Sequence, residues 1–296
     1  MRYPPRHWVH TLGGVATPTA NIRIAQGTCM HRLLIAAMAT ALSACGGGSS
    51  EDAGSRLVCA TCPVDSGTSG SGGGETTAPP VTTAGSVEGY WEGSAGAYTF
   101  GTVILGDGTA YVVYTRSGTI EGLMFGSVST SGASFSGALT DYNARLLSVT
   151  SGTIAGAYGT KNYLSGTAAV GSLSYQIAAT YNTIYDTEAD LAEFAGSWTG
   201  TAGSADGVSR VTLQIAADGR ITASTDYCNA IGTATPAKAG KHPLRITISF
   251  SGLACPLAGR EVSGVAIVSQ AGARKQLVAA GLLPDRSDGF FAVASR

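Results

Sequence analysis

Between Val211 and Ile215 apolar and polar residues alternate, with Thr212 and Gln214 as the polar partners of Val211, Leu213 and Ile215. That is the period of a strand with one face turned inward. Asp218-Gly219 follows, a pair suited to the positive φ angles of a tight turn, and the apolar pattern resumes at Ile221; a hairpin is predicted. The same order stands about one domain earlier, as Val103 to Leu105, Asp107-Gly108 and Tyr111 to Tyr114. Further short strands are predicted at Ser134 to Leu139, Ala144 to Val149, Tyr163 to Val170 and Leu173 to Thr180. A second set lies at Leu244 to Phe250, Val262 to Ser269, Gln276 to Leu282 and Gly289 to Ala294. One short helix is predicted over EADLAEF, capped by Thr187, with Glu188 and Asp190 in its first turn and Gly196 just past its end. It marks a domain boundary near Asp186.

Each array opens on G-x-W-x-G, at Gly89 and Trp91 in the first and at Gly196 and Trp198 in the second. Many short strands with such turns predict an all-β chain: two small antiparallel β-barrel or β-sandwich domains in tandem, residues 87–186 and 187–296, joined by the short helix. Cys228 and Cys255, in an exported chain, read as a disulfide closing a loop of about 28 residues, which stabilises by roughly 3 to 4 kcal/mol in the entropic treatment.

The G-x-W after a short helix resembles the first motif of lipocalins and other calycins. That likeness implies that Trp91 and Trp198, with Gly89 and Gly196, form barrel-end motifs in which the indole plugs the closed end. The second domain also resembles the META-type domains of bacterial lipoproteins around DGRITASTDYCNAIGT and ITISFSGLAC. Both resemblances imply a compact barrel, and neither implies catalysis.

The N-terminal part is organised differently. Met30-His31-Arg32 gives a short positive start, Leu33 to Leu42 an apolar run, and Leu42-Ser43-Ala44 small residues before Cys45. An apolar run of about ten residues is too short to span a bilayer as a mature helix and fits a cleaved signal. The sequence LSAC is similar to the lipobox of bacterial lipoproteins. That resemblance implies diacylglycerol on the Cys45 thiol, cleavage before it, and anchoring in the bilayer by several acyl chains. Gly46, where an Asp would favour inner-membrane retention, implies the cell outer membrane. Residues 1–29 are expected to be an over-extended reading frame, residues 30–44 the signal peptide, and residues 45–86 a Gly/Ser/Thr-rich disordered tether. Cys59 and Cys62 within it form a C-x-x-C without a helix to stabilise a thiolate and without further zinc ligands, which leaves a local disulfide as the expected state.

Charge narrows the function classes. The whole chain has net charge −1. Removal of the residues before Cys45 takes four arginines and no acid, leaving 14 basic residues against 19 acidic, a net of −5. With no basic run, no nucleic-acid partner is expected. No cofactor or metal is expected, and neither is an enzyme. His242, the one histidine after Cys45, is expected in an exposed turn, and AKAGKH matches a phosphate loop only at Gly240-Lys241. Glu88 and Glu92, the carboxylates flanking Trp91, are expected as solvated edge charges. Ten of the twelve tyrosines lie between Tyr90 and Tyr185. They serve either cross-strand packing or a face that binds a surface protein or glycan. Three readings follow: a binding lipoprotein with a cavity or an interaction face, a structural or assembly-factor envelope lipoprotein without a small ligand, and, least favoured, a hydrolase.

Overall fold

The computed structural model describes residues 85–296, so the signal segment, Cys45 and the Cys59/Cys62 pair lie outside the described residues. The first barrel contains β1 (Gly89–Ala95), β2 (Tyr98–Ile104), β3 (Thr109–Arg116), β4 (Thr119–Ser131), β5 (Ser134–Asn143), β6 (Ser148–Gly159), β7 (Tyr163–Val170) and β8 (Leu173–Asn182). The second contains β9 (Gly196–Ser204), β10 (Gly207–Ile215), β11 (Arg220–Thr225), β12 (Asn229–Pro236), β13 (Leu244–Ser251), β14 (Glu261–Ala271), β15 (Arg274–Leu282) and β16 (Gly289–Ser295). Each set forms a closed, antiparallel up-and-down barrel, the last strand pairing with the first. Closure leaves no free sheet edge.

The two Asp-Gly turns are built alike. Only the glycine has positive φ, 83° at both Gly108 and Gly219, while the aspartate carboxylate accepts from the backbone of Thr109 or Arg220. Each glycine carbonyl then accepts at 2.8 Å from the next strand but one, from Val128 in the first barrel and Ala234 in the second. An added Cβ would stand 2.4 Å from the Val128 carbonyl or 2.2 Å from that of Ala234, so the close approach requires glycine.

Three expectations about elements are corrected. Ala144 to Leu147 is a turn, not a strand: the Asn143 carboxamide oxygen accepts from the backbone of Arg145 and Leu146, and β6 starts at Ser148. β4 and β12 were not anticipated. The predicted helix shrinks to a 3-10 turn, Thr183–Asp186, capped by Asn182, and one α-helical turn, Leu191–Phe194, capped by Asp190. Thr187 caps no helix start; its hydroxyl donates to the Ile184 carbonyl behind it.

The barrels share a third core. Outward-facing Val113, Leu123, Phe125 and Tyr142 of the first pack with Val265, Ile267, Val278 and Phe291 of the second, and both barrels fall in one compact unit. At one end Tyr142 donates its hydroxyl to the Arg286 carbonyl at 2.7 Å. At the other, Lys241 meets Asp186 at 2.7 Å and Lys238 meets Glu88 at 3.5 Å. The barrels therefore lie side by side with corresponding ends aligned. Burial opposes ionisation of Asp186, but bonds from Lys161, Lys241 and Tyr181 prevail and hold its pKa at about 2. Lys238 and Lys241 of AKAGKH are thus engaged with acids of the first barrel.

This junction also corrects the readings of His242, Glu88 and Glu92. His242 is 0 % exposed and packs on Phe194, ring centroids 5.3 Å apart, because its loop folds back between the barrels. Thr187 Oγ1 lies 3.1 Å from its Nδ1, and its Nε2 is the one buried side-chain nitrogen or oxygen without a hydrogen bond among the described residues. Burial lowers its pKa, and Glu193 partly offsets this. Glu88 accepts from Tyr185 at 3.0 Å. Glu92 accepts from Asn182 at 2.9 Å and from Ser269 of the second barrel at 3.3 Å. Both are hydrogen-bonded junction groups, not solvated edge charges.

Cys228 and Cys255 are joined, tying the β11–β12 turn to the β13–β14 loop. With 27 residues of separation, the bond restricts the unfolded chain. Its removal by the Cys228→Ser/Cys255→Ser pair is expected to cost about 3 to 4 kcal/mol, read as a lower urea midpoint with the near-ultraviolet spectrum of the native fold retained.

Candidate functional site

Trp91 and Trp198 occupy equivalent places. Each is fully buried, and each indole donates to the carbonyl four residues before it, Trp91 to Val87 at 2.9 Å and Trp198 to Phe194 at 2.8 Å. Trp91 packs with Ile104, Phe135 and Leu164, and Arg296 lays its guanidinium over Trp198, 4.4 Å from the centroid. Gly89 leaves room for the Tyr181 ring and Gly196 holds φ 125°. One end of each barrel is thereby stoppered.

Above the plugs the interiors diverge. The first barrel encloses a cavity of about 420 Å³, whereas the corresponding space in the second is about 40 Å³. Side-chain size along the inward rows explains the difference. Strand β13 points Leu244, Ile246, Ile248 and Phe250 inward. In β6, Gly152 and Gly156 alternate with the cavity-lining Thr150 and Ile154, while Ala110 and Ala168 face inward from β3 and β7. A barrel of the same strand number is filled in one case and hollow in the other.

A row across paired strands, Thr102, Val112, Met124, Asp141 and Thr150, crosses the middle of the cavity wall. The walls are mostly apolar, with one polar chain towards the mouth. Asn143 Nδ2 donates to Tyr114 Oη at 2.9 Å, and Tyr114 donates to Asp141 Oδ1 at 2.7 Å. Gly122 makes room for this, since a Cβ there would stand 2.3 Å from the tyrosine oxygen. Desolvation raises the Asp141 pKa against the opposing bonds from Tyr114 and Asn143. Desolvation, reinforced by Asp141, raises that of Tyr114. The chain offers a polar anchor inside an apolar pocket, the usual form of a small-molecule site.

The mouth is formed by the turns β1–β2, β3–β4, β5–β6 and β7–β8, opposite the plug. Leu146 and Leu173 line it, with Tyr98 stacked edge-on against Tyr114 and Tyr175 just inside. The tyrosines divide between these places and the cores: Tyr90, Tyr114, Tyr142, Tyr158 and Tyr185 are buried. Sequence reasoning passed over Asp141, Asn143 and Met124. The available signal was glycine at alternate inward positions of β6, which removes the side chains that would fill a small barrel. Among the described residues no three His, Cys, Asp or Glu side chains gather as a metal-binding group.

No protein-family model matches the chain, and no curated protein matches it. Among solved structures, a protein of unknown function from the DUF3598 family of Nostoc punctiforme PCC 73102 aligns at TM-score 0.27 and 14% identity, over 71% of this chain and 94% of that one. A candidate outer membrane protein from Bacteroides fragilis NCTC 9343 aligns at TM-score 0.21 and 12% identity, over 70% and 94% respectively.

Proposed function

We propose that this protein is a non-catalytic binding lipoprotein of the bacterial outer membrane, anchored through acylated Cys45. Its first barrel takes up an elongated apolar molecule carrying one polar group, and its second barrel braces the first. The observation that carries the reading is the contrast between a hollow and a filled barrel on one frame, about 420 Å³ against about 40 Å³. The volume lies within the roughly 300 to 1,000 Å³ of small-molecule pockets. The apolar walls suit the tail of such a ligand, and the Asn143–Tyr114–Asp141 chain suits its polar group.

The test uses the full chain carrying Cys45→Ser, which removes the thiol that would be acylated, titrated with the apolar fluorophore N-phenyl-1-naphthylamine. Saturable fluorescence enhancement is expected. Met124→Trp, which places a large ring in the cavity, should weaken it at least tenfold with the melting temperature held within a few degrees. Absence of binding, or binding indifferent to Met124→Trp, would overturn the reading. In cells, Cys45→Ser should move the protein from the membrane fraction to the soluble one, and continued retention would count against the anchor.

A further inference from the structure

The large apolar side chains that remain exposed are not scattered. Of the nine among the described residues, Leu146 and Leu147 sit on a mouth turn of the first barrel, Val149 and Leu173 at the strand ends beside such turns, and Val208, Tyr227 and Leu253 on or beside the corresponding turns of the second. The aligned ends of the barrels put both groups on one side of the molecule. Isolated exposed leucines need no explanation, but a gathering of them on one face does.

The first barrel's share is the more specific. Leu146 and Leu147 are 64 % and 65 % exposed and Leu173 is 55 % exposed. They crown an opening whose inner ring is Tyr98, Tyr114 and Tyr175, residues with an apolar body and a polar tip that suit a water–lipid boundary. Leu147 holds φ 51°, a backbone angle that asparagine or glycine adopts more easily. Charge on these four turns has one sign at the surface. Arg116 and Arg145 are exposed, Arg145 lying 3.9 Å from Glu121, while the acids Glu121 and Asp141 are buried. Such a rim is complementary to an anionic headgroup layer. The second barrel's mouth is mixed, with Asp206, Asp226 and Asp285 beside Arg260 and Arg286, which places the centre of contact on the first barrel.

We propose that the mouth of the first barrel docks on a phospholipid bilayer bearing anionic headgroups. Leu146, Leu147 and Leu173 enter the acyl region, Arg116 and Arg145 meet the phosphates, and a lipid chain passes directly from bilayer to cavity. The transfer step rests on the cavity reading above; the docking step does not. No bond is made or broken.

The experiment is co-sedimentation of the full Cys45→Ser chain with vesicles of phosphatidylethanolamine and phosphatidylglycerol, and with vesicles of phosphatidylcholine alone. Binding is expected to favour the anionic vesicles and to weaken in 0.5 M salt, as screening at such ionic strength predicts ~4 Å reach for charge. The triple variant Leu146→Ser/Leu147→Asn/Leu173→Ser should lose vesicle binding at least tenfold with its melting temperature within a few degrees of the parent's, and Arg116→Gln/Arg145→Gln should lose the anionic preference. Met124→Trp should lose fluorophore and keep vesicles. Equal binding by the triple variant, no binding by the parent chain, or a parent that self-associates through these leucines without binding vesicles would each overturn the docking proposal. Failure of the fluorophore test alone would strike only the cavity reading.

Discussion

Ile267→Asp is expected to destabilise the folded chain by more than about 4 kcal/mol, because it places a carboxylate without a partner where nothing polar can reach it. Ile267 is 0 % exposed and lies on the outer face of β14, in the core shared by the two barrels. The expected signature is loss of mutual support. Limited proteolysis should cut within residues 183–195, the connection between β8 and β9, and thermal unfolding should broaden or split. Ile267→Val, which removes one methylene, should cost only about 0.5 to 1.5 kcal/mol and leave a single transition. An aspartate variant that melts within a degree or two of the parent would show that the barrels do not depend on their junction.

Trp198→Ala is expected to cost about 3 to 5 kcal/mol. The indole is fully buried, closes the end of the second barrel, donates to the Phe194 carbonyl at 2.8 Å and lies under the Arg296 guanidinium. Removing it opens a void in an otherwise filled interior and leaves a buried carbonyl without its donor. Trp198→Phe separates these contributions: it keeps most of the packing and loses the N–H, so a cost of about 1 to 3 kcal/mol is expected from the orphaned acceptor. Urea unfolding followed by circular dichroism reads both. A smaller loss for alanine than for phenylalanine would contradict the plug geometry.

Much of the architecture was legible because it is written in period two. Val211, Leu213 and Ile215, with Asp218-Gly219 after them, give strand, face and turn without tertiary information, and the doubled G-x-W-x-G gives the repeat. The junction was not legible in that way. Strands β14 and β15 contain GVAIV and LVAAGL, where alternation gives way to continuous apolar runs, because these strands are covered on both faces. The run signals double burial but cannot name what covers the second face. His242 was misplaced for the same reason: Lys, Gly and Pro around it describe a turn, and only the neighbouring barrel turns that loop inward. The cavity lies between the two cases. Its small inward residues are visible once the register is known, but the polar chain through Tyr114 and Asp141 joins residues 27 apart, and no local pattern connects them.

The plugs at Trp91 and Trp198 have one more consequence. The first described residues lead into β1 beside Trp91, and the chain finishes with Arg296 across Trp198. Every connection on the opposite side is a return between neighbouring strands, four from each barrel. A bead, sensor chip or fusion partner joined at Gly85 or at Arg296 therefore leaves that opposite side fully presented. The β1–β2, β3–β4 and β7–β8 returns, which hold neither the disulfide nor the Arg286 contact, can be lengthened or exchanged one at a time without disturbing the stoppers, making the first barrel a ready platform for displaying inserted peptides.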